Sequence, residues 1–357
     1  MRPGTLAAIG NTPLVELRRL APSTGARVLV KLEYLNPTGA MKDRLALAMV
    51  EGAERDGRLM PGMTIVEYTG GSTGPGLALV CAVKGYRLKI VTSACFSDEP
   101  RRLMRALGAD VEVLEAAIAP GTVTPADIDA MRARAADLAR QPGHYFTDQF
   151  NNPYVVAGLR DGLGMEIVNQ SAHLPVAAFC TGIGSGASLL GVAEAIRRRD
   201  PRPRIVGLEP AGSPGITAGT RGVFAMQGWS GFAPPLFDID AVDAVDTISD
   251  DDAIATTSRL AEEEGIFTGV SGGANVYGAV RLAAQLPREA AVVTLAPDSG
   301  YKYLGSGLFG QAIRQRMARD SLSETDRRPP GDGKATVAHA RDKGHTGNGP
   351  RQAVPES

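Results

Sequence analysis

Thr64-Ile65-Val66-Glu67-Tyr68-Thr69-Gly70-Gly71-Ser72-Thr73-Gly74-Pro75-Gly76 is a short β-branched run followed by a glycine-rich turn, and an apolar stretch over residues 77–84 follows, closed by Gly85. The order strand, turn, helix is the repeating unit of an α/β fold, with the closing glycine suited to a helix C-terminus. Working outward, residues 87–91 predict the next strand, 99–107 a helix ending at Gly108, and 110–114 another strand. Upstream, 27–33 predicts a strand and 42–56 a helix. Alternation of this kind argues for parallel sheets covered by helices on both faces.

The rhythm breaks over 116–125 and resumes with a helix at 126–140, a strand at 144–150 and a helix at 155–169. A strand at 176–181 runs into Gly182-Ile183-Gly184-Ser185-Gly186-Ala187-Ser188, and a helix follows to Arg199. A strand is expected at 204–209, then a Gly/Pro-rich loop around the active site at 210–235. Helices at 250–264 and 273–285 lead to a last core strand at 290–295. From about Asp320 the chain is polar and aperiodic, so 320–357 is expected to be disordered, His339 and His345 included.

The chain has 357 residues, 43% hydrophobic and 22% charged, enough for two domains with buried cores. A net charge of -1 gives no electrostatic reason to expect nucleic acid or an anionic membrane. Cys81, Cys95 and Cys180 have no metal-ligand spacing and read as core residues. Four histidines, two of them in the tail, are too few for a histidine triad or a multi-histidine metal site. The first ten residues lack a secretory pattern and no apolar run would span a bilayer, so a cytoplasmic location is expected.

Three loops and one lysine carry the chemistry. Lys42, one of seven lysines, lies in Asn36-Pro37-Thr38-Gly39-Ala40-Met41-Lys42-Asp43-Arg44 at the expected N-terminus of a helix. The helix dipole disfavours a cation there, which suits an amine that forms a Schiff base. Gly184, Ser185, Gly186, Ala187 and Ser188 make an anion cradle before a helix. Without a Gly-Lys-Ser/Thr ending it is not a nucleotide P-loop. Gly182, Gly184 and Ala187 also fit a dinucleotide fingerprint, with Glu209 placed to bind a ribose. Thr69, Gly70, Gly71, Ser72 and Thr73 offer amides and hydroxyls to a carboxylate, and Asp298-Ser299-Gly300 follows the last strand. In open α/β sheets all of these ends can converge, and together they are the parts of a pyridoxal phosphate site.

On these motifs the chain resembles the cysteine synthase (O-acetylserine sulfhydrylase) family of fold-type II pyridoxal phosphate enzymes, from Ile9 to about Leu304. Ile9-Gly10-Asn11-Thr12-Pro13-Leu14 resembles the family's opening motif, and residues 36–44 its lysine motif. The resemblance implies that Lys42 is the Schiff-base lysine and that residues 184–188 hold the cofactor phosphate. It implies that Thr69 to Thr73 and Gln149 grip the substrate carboxylate, and that Ser299 meets the pyridine nitrogen. It also implies two open parallel-sheet α/β domains, tryptophan synthase β-like, with pyridoxal 5'-phosphate in the cleft between them. The expected division is a larger domain of 1–40 with 151–319 and a smaller mobile one of 41–150. A homodimer is expected from the family alone.

Four departures stand out: Ser72 where the family carries a cofactor-contacting asparagine, Ala187 for a glycine, Gly272 for a serine, and the indole of Trp229. The expected reaction is β-replacement on O-acetylserine or O-phosphoserine by sulfide or thiosulfate, giving cysteine or S-sulfocysteine. Arg221 is a candidate partner for a substrate phosphate, and Trp229 for shaping the nucleophile's pocket. Three alternatives stay open: a serine or threonine dehydratase, a dinucleotide oxidoreductase, and a non-catalytic cofactor-binding protein acting through a partner.

Overall fold

A computed structural model describes residues 4–119 and 123–306, so the tail over 320–357 lies outside the described residues. The chain enters through β1 (Leu14–Glu16) and β2 (Arg27–Leu32), then forms α1 (Lys42–Arg55). The unit quoted above becomes β3 (Thr64–Tyr68), α2 (Thr73–Lys84) and β4 (Arg87–Ser93). It is followed by α3 (Asp98–Ala106), β5 (Asp110–Leu114), α4 (Pro125–Ala139) and β6 (His144–Phe146). The chain continues through α5 (Tyr154–Leu159), a π turn (Arg160–Gly164), α6 (Met165–Gln170), β7 (Val176–Gly182), α7 (Ala187–Arg199) and β8 (Arg204–Pro210). After a long irregular segment come β9 (Ala244–Ile248), α8 (Asp250–Arg259), α9 (Val270–Ala283) and β10 (Ala291–Ala296), ending in a 3-10 turn (Gly300–Ser306).

The strands form two sheets. One has the order β1-β2-β10-β7-β8-β9, the other β5-β4-β3-β6. Every neighbouring pair is parallel except β1 with β2 at one edge. The fold is therefore the parallel α/β arrangement that the alternating pattern predicts, in the two-sheet, fold-type II form that the resemblance implies. Every residue of the inner strands β3 and β10 is buried, which explains their mainly apolar sequence without alternation, whereas the edge strand β5 keeps exposed positions. One apolar cluster runs from Ile65, Leu88 and Ile90 of the smaller sheet through Leu45, Met49 and Leu77 to Phe179 and Val293 of the larger one. A second core lies on the other face of the larger sheet, under α8 and α9.

Several boundaries differ from the expected ones for identifiable reasons. Helix α2 starts at Thr73, because Pro75 sits in the first turn, where its missing N–H costs no hydrogen bond. Helix α9 starts at Val270 and runs through Gly272 and Gly273. A Cβ on Gly273 would stand 2.1 Å from the Thr257 hydroxyl oxygen, so this glycine admits α8 against α9 and does not break the helix. The helical stretch at 155–169 does form, with a π turn at Arg160–Gly164 between its two α segments. The strand at 144–150 stops at Phe146, since Asp148 takes a left-handed φ of 44°. Strands β1 and β9 were not foreseen: three and five residues without strong alternation give little signal. Among the described residues no helix is long and apolar enough to cross a membrane.

Candidate active site

The turn before α1 is sewn to the end of β10. Met41 N donates to Pro297 O (2.8 Å), Ser299 N to Gly39 O (3.0 Å), and Ala40 bridges Asp298 antiparallel. Lys42, the first residue of α1, thereby lines a cavity at the carboxyl ends of both sheets. From the β3–α2 loop come Gly71 and Ser72, from the loop after β7 come Gly184 and Ser185, and from the first turn of α7 comes Ser188. The same wall holds Trp229, Ser271, Asn275, Asp298 and Tyr303.

Lys42 is half-buried, and its amine is brought down to about 8. Burial is the cause, with the Asp298 carboxylate pulling the other way. The sequence argument reached a depressed amine through the helix dipole; the structure assigns it to desolvation. At pH 7 such an amine is neutral to roughly a tenth, far more than an ordinary lysine, which makes Lys42 a competent nucleophile and base.

At the N-terminus of α7, the amides of Gly184, Ser185 and Gly186 donate no hydrogen bond within the described residues. These are the orphan donors of a helix start, and they suit a phosphate. Gly182 is dictated by packing: a Cβ there would stand 1.8 Å from the Trp229 ring. The indole thus closes one side of the cavity by lying on a residue without a side chain. Asn275 holds this corner, accepting from Gly182 N (2.7 Å) and donating to Leu295 O (2.9 Å). Sequence reasoning missed it, although an asparagine inside the apolar run of α9 was a visible signal. Glu209, the ribose-binding candidate, is buried and spent. Its carboxylate accepts from Ile216 N (2.8 Å), Thr217 N (3.1 Å) and the Thr217 hydroxyl.

The expected carboxylate loop divides in two. Gly71 and Ser72 face the cavity, while Thr69, Gly70, Thr73 and Gln149 do not line it. Thr69 Oγ1 accepts from Gly71 N (3.1 Å), and Thr73 Oγ1 donates to Gln149 Oε1 (2.7 Å). Gln149 Nε2 in turn donates to Tyr68 O (3.2 Å). These bonds hold the two segments together behind the cavity wall. Beneath them, Glu67 accepts from Tyr68 N (2.8 Å), the Thr147 hydroxyl (2.7 Å) and Gln149 N (3.0 Å). Burial pushes its carboxyl up to about 8 despite these donors. Gly186 and Ala187 are likewise behind the wall, as the turn and first residue of α7.

Ser299 is buried beside the cavity without lining it, and its hydroxyl accepts from Tyr301 N (3.2 Å). Its neighbour Asp298 does line it. One oxygen of Asp298 accepts from the Tyr303 hydroxyl (2.6 Å), and the other, Oδ1, has no hydrogen-bond partner among the described residues. The sequence reading passed over Asp298 and Tyr303 in favour of Ser299. Arg221 is exposed, with its guanidinium 5.2 Å from the Phe232 ring centroid, and does not reach the cavity wall.

Behind α1, away from the cavity, lies a saturated ionic network. Arg44 donates to both Glu33 (2.7 and 2.9 Å) and Glu166 (2.7 Å twice). Lys31 gives its three protons to Thr12 O, Glu166 and Gln170, and Thr12 Oγ1 donates to Glu33 (2.6 Å). Burial raises the Glu166 carboxyl, but Arg44 and Lys31 outweigh it and bring it down to about 2. Thr12 belongs to the opening motif at residues 9–14, which therefore has a structural part here: it anchors the first strand to the lysine helix.

An amine that captures an aldehyde, facing a cradle of free amides that takes a phosphate, fits pyridoxal phosphate. Comparison with known proteins agrees. The family of pyridoxal-phosphate dependent enzymes matches residues 5–298. A cysteine synthase of Staphylococcus aureus is 38% identical over 305 residues, covering 84% of this chain and 95% of the relative. Among solved structures, an O-ureido-L-serine synthase superposes with a TM-score of 0.80 at 36% identity, covering 87% of this chain and 96% of that one. A cysteine synthase from Entamoeba histolytica superposes with a TM-score of 0.79 at 30% identity, covering 87% and 91%. The chain thus belongs to the pyridoxal-phosphate dependent enzymes, within their fold-type II cysteine synthase group, and its cofactor is pyridoxal 5'-phosphate.

Proposed function

We propose that this protein carries out β-replacement on an activated serine, O-acetylserine in the first instance, using a sulfur nucleophile to give L-cysteine. The observation that carries the reading is the Lys42 amine, lowered to about 8 and placed in one cavity with a helix-start anion cradle and the loop of Gly71 and Ser72. Pyridoxal phosphate supplies the electron sink that lets a proton leave the substrate's α-carbon and a leaving group depart from the β-carbon. Lys42 would hold the cofactor through its amine and, with the substrate bound, would take and return the α-proton. Residues 184–188 would hold the phosphate through free amides. Thr69 to Thr73, with Gln149, would bind the substrate carboxylate, the bonds behind the wall keeping the loop's amides aimed inward. Ser299 has a hydroxyl proton to offer the pyridine nitrogen. Residues 41–150 would close on the rest of the chain over the substrate, and the working form would be a cytoplasmic homodimer.

The curated relatives are named cysteine synthases, and similar folds include an O-acetylserine dependent cystathionine β-synthase from Helicobacter pylori. These support an O-acetyl leaving group and sulfur chemistry. Thiosulfate, with S-sulfocysteine as product, and O-phosphoserine remain within the proposal as the second nucleophile and second donor to test. Adding O-acetylserine to the purified holoprotein without a nucleophile should change its visible spectrum, and sulfide should restore it with release of cysteine. A spectrum indifferent to both O-acetylserine and O-phosphoserine would remove this reading.

A further inference from the structure

Ser72 occupies the N-cap position of α2 but makes no capping hydrogen bond to that helix. Its hydroxyl oxygen instead accepts from the Lys302 ammonium at 2.9 Å. Lys302 comes from the 3-10 turn after β10 of the larger sheet, and Ser72 from the loop after β3 of the smaller one. An ammonium has three protons and no acceptor, so in this bond the serine oxygen can only accept. The serine's own proton is then left to be given elsewhere, and Ser72 lines the cavity that contains Lys42. Burial lowers the Lys302 amine, while the carboxylates of Asp298 and Asp43 pull it back toward the charged form.

We propose that Lys302 is a positioning residue that turns the Ser72 hydroxyl into a charge-backed donor aimed into the cavity, toward the bound cofactor. This rests on the function proposed above, since it takes pyridoxal phosphate as the occupant. Ser72 shares its cavity with Lys42, so a donor there is within reach of the group that Lys42 holds. A hydroxyl polarised by a cation is a stronger donor than a free one. It also adds a bond between the two sheets that closes at the cofactor.

The test uses the full-length holoprotein, with Ser72→Ala, Lys302→Met, Lys302→Arg and the double variant Ser72→Ala/Lys302→Met. The readouts are the visible absorption maximum, its pH titration, and the dissociation constant for pyridoxal phosphate. Each single removal should shift the absorption band in the same direction and weaken cofactor binding by roughly 5- to 30-fold. The double variant should be no worse than either single one, and Lys302→Arg should recover most of the wild-type spectrum. If Lys302→Met fails to fold, Ser72→Ala and Lys302→Arg still decide the matter. Ser72→Ala must move the band, and Lys302→Arg must leave it near the wild-type position. Additive losses, or a Lys302→Met spectrum identical to wild type, overturn the inference while leaving the function standing. A wild-type protein that takes up no cofactor overturns the function instead.

Discussion

Two side chains in the first turn of α1 point to opposite fates for buried charge. Arg44 faces a network in which Glu33, Glu166, Lys31 and Thr12 satisfy one another. Lys42, two residues earlier, faces a cavity whose nearby carboxylate, Asp298, keeps one oxygen without a partner. Both regions desolvate ionisable groups, yet only the first compensates them fully. Charges that are saturated hold elements together; charges left short of partners are available to a ligand. The same contrast separates Glu209, whose oxygens are spent on a loop, from Asp298.

The contrast is broken most severely by Lys42→Ala. Turnover should fall roughly 1,000-fold or more, because the amine that holds the cofactor and moves the proton is gone. Stability should not fall with it. The amine sits at about 8 in the folded protein against 10.5 in its ordinary state, so the unfolded chain binds more protons between those values. Burial of Lys42 therefore costs stability progressively as pH falls from 10.5 to about 8, the cost is complete below that, and the alanine variant should melt no lower than the wild-type apoprotein at pH 7. A turnover assay and a thermal melt check both halves; a marked loss of stability would place Lys42 with the structural charges.

Arg44→Met attacks the saturated side and should reverse the pattern. It leaves Glu33 without its cation and Glu166 with Lys31 alone, and breaking a buried pair in this way costs about 3–5 kcal/mol. Urea unfolding should show the loss directly. Acid unfolding should show it again: Glu166, held at about 2, contributes stability that is present above its ordinary value of 4.5 and lost as pH falls toward 2. Without Arg44 that contribution should be smaller, and acid unfolding should set in at a higher pH. An acid transition unmoved by the substitution would mean that Lys31 alone sets the Glu166 carboxyl.

The sequence made the cavity side more legible than the network behind it. Lys42 and the loop at 184–188 are local signals, a residue or turn placed between a strand and a helix, and local signals survive without coordinates. The network joins Thr12, Lys31, Glu33, Arg44 and Glu166 across more than 150 residues, and no spacing rule connects them. Thr73 and Gln149 were singled out for a ligand, and their mutual hydrogen bond is equally nonlocal. Asp298 stands in the strand-end motif, yet sequence alone assigns it no role, because its missing partner is visible only once the fold surrounds it. At the level of elements, glycine misled where it served packing: α9 was begun too late because Gly272 and Gly273 were read as its edge.

Gly182→Ala tests the cavity wall with a smaller perturbation. Its new methyl would overlap the Trp229 ring, forcing the indole away at a cost of about 1–3 kcal/mol. Trp229 is the chain's one tryptophan, so its emission reports on this wall without labelling. The variant should show altered tryptophan emission and weaker quenching by pyridoxal phosphate, with the fold otherwise intact. Unchanged emission would mean that the wall yields elsewhere and that the indole does not set its shape.

Arg221→Ala should have the smallest effect and sharpens the comparison from outside the cavity. The guanidinium is exposed and stacks on Phe232, a contact worth about 0.5–1 kcal/mol at such a site. It faces no stranded carboxylate and contributes nothing to the cavity wall, so it belongs to neither buried group. With O-acetylserine as substrate, kcat/KM should change less than about 2-fold, in keeping with a contact of that size. The informative arm is O-phosphoserine. Pairing with a substrate phosphate would require the 210–235 segment to carry Arg221 off Phe232 and into the cavity. In that case the substitution would raise KM for the phosphorylated donor alone. Equal, small effects on both donors would leave the leaving group to be bound by the amides and hydroxyls that already line the site, and would favour the uncharged acetyl group that needs no counter-ion.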